Sequence, residues 1–419
     1  MQRPQSIRAS AVAIALLVVS QIASSCSMPN EPNESNSNPS IVQTSWATPT
    51  QVNAPQPNSN GAMVRANVHG TGVFVTKGVR QLTGLSWKVT ANNGRSTTPP
   101  VIQNSVVYFG CAGRLYAVDT STGTEKWNRE LDNVAISAPA VVSNTVYVGV
   151  WEALYAINSD TGEVNWIYRL ENGSDDTYYG DPVVYAGTVY FGGRKYFYAL
   201  DSKTGREKWK VNLSATPSSV PTVYDGIIYV GTFTPGGTHT PYLYALDGET
   251  GQEKWKVKIT GQGISGAVAA TDRVVYAETW DDGLLALNAS SGQEIWRYNT
   301  GTHLTGAPTV GYSTVYATNQ GTLYALDSQT GKEKWKLQVG GGLYTGSVIA
   351  DGIIYFGSSE INLGTVFSGH GNGNLHAVDT NSRQELWKFS VDATISRAPA
   401  VENGIVYFGD DDGTLYAVK

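Results

Sequence analysis

Disulfides cannot be what holds this chain together. Its 419 residues contain two cysteines, Cys26 and Cys111, and a chain of this length has enough apolar surface to bury without them. Charge is also scarce. Asp, Glu, Lys and Arg make up 15% of the residues, and the formal net charge is −6. No basic stripe is present that could displace counterions from phosphates, which argues against a nucleic-acid partner. The five histidines include no short-spaced H-x-x-x-H pair, so the spacing gives no zinc signature. What is plentiful is glycine (46), tyrosine (24) and tryptophan (11), a composition suited to β-structure.

The first twenty-six residues read as a targeting segment. Arg3 and Arg8 precede an apolar run, Ala9 to Val19, and small residues then lead to Cys26. The run is too short to span a bilayer, which needs roughly twenty residues. Small residues followed by Cys resemble a bacterial lipobox, which implies export and lipidation at Cys26. Residues 27–62 are rich in Ser, Asn, Pro, Gln and Thr and bury too little to offset their ordering entropy, so a disordered polar tether is expected there. Trp46 within it has no assigned role. A lead-in segment, 63–78, precedes the repeats.

From 79 to 419 one phrase recurs. It reads LYAVDTSTGTEKW at 115–127, FYALDSKTGREKW at 197–209, LYALDGETGQEKW at 243–255 and LYALDSQTGKEKW at 323–335. Looser copies end at Trp166, Trp296 and Trp387. The eighth is split between LYAVK at 415–419 and LTGLSW at 82–87. Runs such as VVYFG (106–110) and IVYFG (405–409), each preceded by a short proline-containing run, complete a unit of four short strands. One such meander cannot bury both faces, so neighbours must stack. The expectation is an all-β, eight-bladed β-propeller of four-stranded antiparallel blades. An N-terminal strand paired with the C-terminal strands would close the ring. In the phrase, Asp accepts backbone N–H groups of its turn, Gly tolerates a positive φ, Trp packs on the next sheet, and Ala marks a close approach.

The pattern A-x-D-x-x-T-G-x-x-x-W resembles the pyrroloquinoline-quinone (PQQ)-type propeller repeat, found in quinoprotein dehydrogenases and in BamB-like outer-membrane assembly lipoproteins. The dehydrogenase resemblance would imply PQQ stacked on a vicinal Cys-Cys disulfide, with Ca²⁺ held by Glu, Asn and Asp. The chain has no Cys-Cys pair, and no cofactor or metal set is expected. The BamB-like resemblance implies a non-catalytic scaffold in the cell envelope, membrane-anchored and holding a protein partner. A quinoprotein-type enzyme and a carbohydrate-binding module using Trp151 and Trp280 are the alternatives.

Function should lie where the phrase breaks. Loops between blades share a face with loops joining second and third strands; the Thr-Gly turns lie on the other. On the first face stand Trp151, Tyr178, Tyr179, Trp280, Asp281, His303 and His370, with His239 and insertions at 232–241 and 358–374. These are the expected partner-binding residues, because exposed aromatics on a rigid platform anchor interfaces. No catalytic residue is expected. The recurring Asp119, Asp201, Asp247, Asp327 and Asp379 are read as turn structure, Asp410–Asp412 as a hairpin, His376 as core, and Cys111 as a turn thiol.

Overall fold

The computed structural model describes residues 61–419, apart from 92–94, 133–135, 171–177, 238, 265, 282, 302–303, 305, 320, 341–342 and 361–370. Cys26, the targeting segment, Trp46, His303 and His370 therefore lie outside the described residues, as do the side chains of Tyr178 and Tyr179.

Eight sheets, each built on a blade of four antiparallel strands, form the expected propeller. Blade one consists of Val101–Gln103, Val106–Cys111, Arg114–Asp119 and Glu125–Glu130, in that order from the axis outward. Blades two to seven repeat this at 140–169, 178–212, 222–258, 268–298, 309–338 and 348–391. Blade eight takes Ala400–Glu402, Ile405–Gly409 and Thr414–Val418 from the C-terminus and its outer strand, Leu85–Thr90, from the other end of the repeats. Trp87 stands opposite Ala417, and Gly84 and Lys419 exchange backbone bonds of 3.0 and 3.1 Å. The split phrase is thus rejoined in space.

Within each blade the small residue of the phrase has a different task from the one expected. Ala117 is paired with Tyr108 on one side and Trp127 on the other, and the same trio recurs as Tyr190–Ala199–Trp209 and Tyr355–Ala377–Trp387. A methyl group between them lets the two rings meet across the strand, with centroids 5.9–6.0 Å apart. The close approach between blades falls on the turn glycine instead. A Cβ on Gly123 would lie 2.8 Å from the Trp87 ring of the preceding blade. Gly162 stands so against Trp127, Gly205 against Trp166, Gly251 against Trp209, Gly292 against Trp255 and Gly331 against Trp296.

The same rings tie the joint by hydrogen bonds. Trp127 Nε1 and Tyr108 Oη both donate to the Ser159 carbonyl of blade two, at 2.9 and 3.3 Å. Trp166 with Tyr147 does so at Ser202, and Trp209 with Tyr190 at Gly248. The repeated Asp arranges the turn that offers this carbonyl. Asp201 Oδ1 accepts the N–H groups of Lys203 and Thr204, and Asp247 those of Glu249 and Thr250. These acids are structural, as expected from their repetition.

The lead-in segment has a definite path along the inner rim. Gly61–Ala62, expected in the tether, pairs with the inner strand of blade two. The chain then passes successive inner strands. Val68 O accepts from Val223 N (blade four), His69 O from Ala270 N (five), Thr71 O from Val310 N (six) and Gly72 O from Ile349 N (seven), each at 2.8–2.9 Å. These four donors occupy equivalent positions, the edge N–H that each inner strand would otherwise leave unpaired. Lys77 O ends the path at Gly404 N of blade eight. Met63, Arg65, Val68 and Thr71 on this strap are buried.

The expected insertion at 358–374 is partly regular: Ser358–Glu360 pairs with Asn372–Asn374, lengthening the central hairpin of blade seven. His376 is core, as read from the sequence, stacked on Phe356 and bonded to Ser358 and Glu385. Cys111 ends a strand and is buried, not in the turn; its Sγ donates to Arg95 O.

Two glycines of blade three separate backbone from packing. Gly187 (φ +75°) and Gly205 (φ +70°) share a left-handed backbone, but only Gly205 faces a ring, with Trp166 at 2.7 Å from an added Cβ. Gly187→Ala should cost about 1 kcal/mol. Gly205→Ala should cost about 1–3 kcal/mol more, the penalty of overpacking. Urea unfolding of both variants checks this; equal losses would remove the indole contact from the account.

Candidate functional site

The loop face carries a cleft of about 290 Å³ at the mouth of the ring, walled by blades eight, one, two and three. Three of its side chains carry chemistry. Trp151, in the turn between Thr145–Val150 and Ala153–Asn158, is 44% exposed. Asp181 comes from the irregular stretch between Tyr179 and Val183, where the strand loses register beside Gly180 (φ +83°). Arg397 enters from the connection between blades seven and eight and is exposed.

Asp181 is positioned by the backbone of its neighbour: its Oδ1 accepts the Ala138 N–H at 2.8 Å. By accessible surface the residue is half-buried, but protein surrounds the carboxyl itself. Desolvation pushes its pKa up to about 6, opposed by the Ala138 N–H and by the charge of Arg397. The mouth thus offers an indole wall, a guanidinium and a carboxyl. These are groups that recognise a partner by stacking and charge-assisted hydrogen bonds.

Of the residues expected on this face, Trp151 lines the cleft. Trp280 does not. It is half-buried and packs against Phe233, with ring centroids 5.7 Å apart, and its backbone N–H donates to Gly263 O. Asp281 is exposed beside it, its carboxylate lying over Gly261. The pair Trp151 and Trp280 is therefore not one stacking platform. Tyr178 and Tyr179 are strand residues paired with Gly193 and Gly192, not loop residues. Asp181 and Arg397 were not singled out from the sequence, yet a signal was there. Before the proline of the inner run, other blades carry a small or aliphatic residue (Ala138, Val220, Ala307), and blade three carries Asp181. Arg397 likewise stands where Ser137 and Gly306 stand.

Farther inside the ring two ionisable groups are buried together. Arg65 of the strap donates through Nη2 to Pro308 O (2.6 Å) and Thr309 Oγ1 (3.1 Å), while its Nε and Nη1 have no hydrogen-bond partner. Glu278 of blade five is 2% exposed and has no side-chain partner. Burial pushes the Glu278 pKa up to about 8 against the pull of Arg65 and the Gly306 N–H. Burial also lowers Arg65 to about 10. Among the described residues no group of three or more His, Cys, Asp or Glu could hold a metal ion.

A family model described as outer membrane protein assembly factor BamB matches residues 74–193, 152–363 and 361–419. The chain belongs to this family. BamB of Yersinia pestis is 27% identical over 150 residues, 32% of this chain and 35% of that protein. A quinohemoprotein alcohol dehydrogenase of Comamonas testosteroni is 34% identical over 86 residues, 17% of this chain and 12% of the enzyme. The chain thus spans about a third or less of the length of the curated relatives it matches. In three dimensions the Comamonas enzyme superposes with a TM-score of 0.72 at 16% identity, covering 87% of this chain and 81% of that one. BamB of Moraxella catarrhalis gives 0.62 at 15%, covering 80% and 97%. At these identities the superpositions establish the propeller alone. The family match begins at residue 74, so most of the strap lies ahead of it.

The raised pKa of Glu278 has a sign that can be measured. Between its ordinary 4.5 and about 8, the folded protein keeps a proton that the unfolded chain has released. Stability contributed by this group therefore falls as pH rises through that window. Glu278→Gln should flatten the decline between about pH 5 and about pH 8.5. Denaturant midpoints at the two pH values check it; parallel profiles for variant and parent would refute it.

Proposed function

We propose that the chain is an exported, lipid-anchored, non-catalytic propeller that holds a protein partner of the cell envelope on its inter-blade loop face. Family membership supports the architecture of an assembly factor. The observation that carries the binding role is the mouth cleft, where an exposed Trp151 stands with Asp181 and Arg397 on strands and turns fixed by the ring. Rigid aromatic and arginine anchors of this kind dominate binding energy in protein interfaces. The outer-membrane assembly role of the family is extended to this chain as part of the same proposal.

The dehydrogenase likeness keeps a second reading in view, a quinoprotein-type enzyme. The residues do not fit its cofactor. The inner strands that line the axis are capped by the chain's own strap, with Arg65 buried against blade six. The sequence offers no vicinal cysteine pair on which a quinone could stack.

Photo-crosslinkers placed at Trp151 and, as a control on the opposite face, at the exposed Glu249 test the scaffold reading in cells. A discrete adduct with a component of the outer-membrane assembly machinery is expected from position 151 alone. Adducts from both positions, or from neither, would sink it. PQQ titration followed by absorbance should show no stoichiometric uptake, and uptake would favour the enzyme. Mass spectrometry of the mature N-terminus should find Cys26 as a diacylated first residue.

A further inference from the structure

Two joints depart from the rule that a glycine underlies each indole: the one closed by the split phrase, at Trp387, and the one between blades six and seven, at Trp335. In blade seven the residue four after the turn Asp is Arg383, not Gly, held at φ +61°. A side chain there cannot lie under the Trp335 ring of blade six as Gly331 lies under Trp296. The other repeat indoles donate to a carbonyl, including Trp87 to Thr120, Trp296 to Ser328 and Trp387 to Val79. Trp335 Nε1 makes no such bond among the described residues, although Tyr316 keeps its usual 5.9 Å from that ring. Where the joint fails to close there is a cleft of about 660 Å³ on the Thr-Gly turn face, lined by Trp335, Tyr316, Tyr312, Lys334, Arg80 and Arg383 among others.

The charges around this cleft are unequally satisfied. Arg80 is paired with Asp379 and donates to Asp351 O, and Lys334 reaches Asp327 at 3.4 Å. Arg383 is exposed and forms no ion pair among the described residues. Tyr312, at the rim, is 67% exposed in a left-handed turn. The groups that remain available are an indole side with its N–H, a free guanidinium and the exposed Tyr312 ring. A pyranose ring with C–H groups on one face and a carboxylate at its edge matches them: the C–H face stacks on Trp335, and the carboxylate takes a forked pair from Arg383.

We propose that the cleft between blades six and seven binds an acidic sugar, a uronic acid residue within a polysaccharide chain. The site is on the opposite face from the mouth cleft and depends on none of the residues assigned to the protein partner. The cleft has room for a sugar unit, with Thr380 at its wall.

The test uses the full chain and trigalacturonic acid as the probe, with a neutral trisaccharide and inorganic phosphate as comparisons, by titration calorimetry. Saturable binding of the acidic trisaccharide alone is expected. Arg383→Gly restores the glycine of the regular turn and should fold well, with a raised melting temperature as the left-handed arginine is relieved. The same variant should weaken trigalacturonate binding roughly tenfold or more, the loss of a charge-assisted pair. Trp335→Phe keeps an aromatic ring but removes the N–H, and should weaken it less. Absence of binding to the parent, equal binding of phosphate, or unchanged binding by Arg383→Gly would overturn the proposal.

Discussion

The ring holds its shape through one repeated contact, an indole laid on the bare backbone of the next blade's turn. The N–H of that indole donates to the carbonyl following the turn Asp, and the blade's tyrosine donates to the same oxygen, as at Ser159, Ser202 and Gly248. Each bond contributes about 1 kcal/mol net. The larger effect is geometric: a ring plane and two donors converging on one acceptor fix both the spacing and the rotation of adjacent sheets. The Asp is needed to curl the turn, the Gly to admit the ring, and the Ala to let Tyr and Trp meet across a strand. At the regular joints the most conspicuous residues of the repeat therefore serve packing.

Such uniformity makes departures meaningful. Blade seven is bounded by the two joints that break it. On one side the split phrase forces Trp387 to donate to Val79 of the strap's exit rather than to a following turn. On the other, Arg383 replaces the glycine, and Trp335 loses its carbonyl while a cleft opens. The first irregularity follows from ring closure. The second has no such architectural cause, since Asp379 still forms its turn by accepting from Asn381 and Ser382. A left-handed arginine costs roughly 1 kcal/mol or more where glycine would cost nothing, so a structural reason for it is wanting.

The sequence was most legible where it repeated. Eight Trp-closed phrases specified the blades, and LTGLSW at one end with LYAVK at the other specified the closing strand, because a period shared eight times averages out local ambiguity. Single positions were harder. Trp151 and Trp280 look alike as replacements for turn residues, yet Phe233, brought over by an insertion, covers Trp280 alone. Asp181 and Arg397 were visible only as deviations in a short proline-containing run, and their meeting at the mouth depends on curvature that no local pattern encodes. Arg383 was readable in principle as the missing Gly of the phrase. Its consequence was not, because the partner ring belongs to the preceding blade.

The strap shows why length alone misjudges a connecting segment. Residues 61–77 carry no repeat and little periodicity, and so read as an approach to the fold. Their order comes from elsewhere: inner strands present edge N–H groups at Val223, Ala270, Val310 and Ile349, and the strap supplies carbonyls in the same sequence. Edge groups facing a narrow axis cannot all be served by bulk water, and each left unpaired when buried costs about 1–3 kcal/mol. Pairing residue 72 with residue 349 is also strongly non-local, so its loop entropy is offset by the blades it ties together. The strap's bonds therefore depend on the later blades, and it leads directly into Leu85–Thr90, the strand that closes the ring. Lining the axis and completing the circle are two results of one continuous segment. That coupling explains why a buried arginine with two unpaired nitrogens is tolerated there: Arg65 is carried in by a segment whose backbone bonds and ring closure outweigh its desolvation.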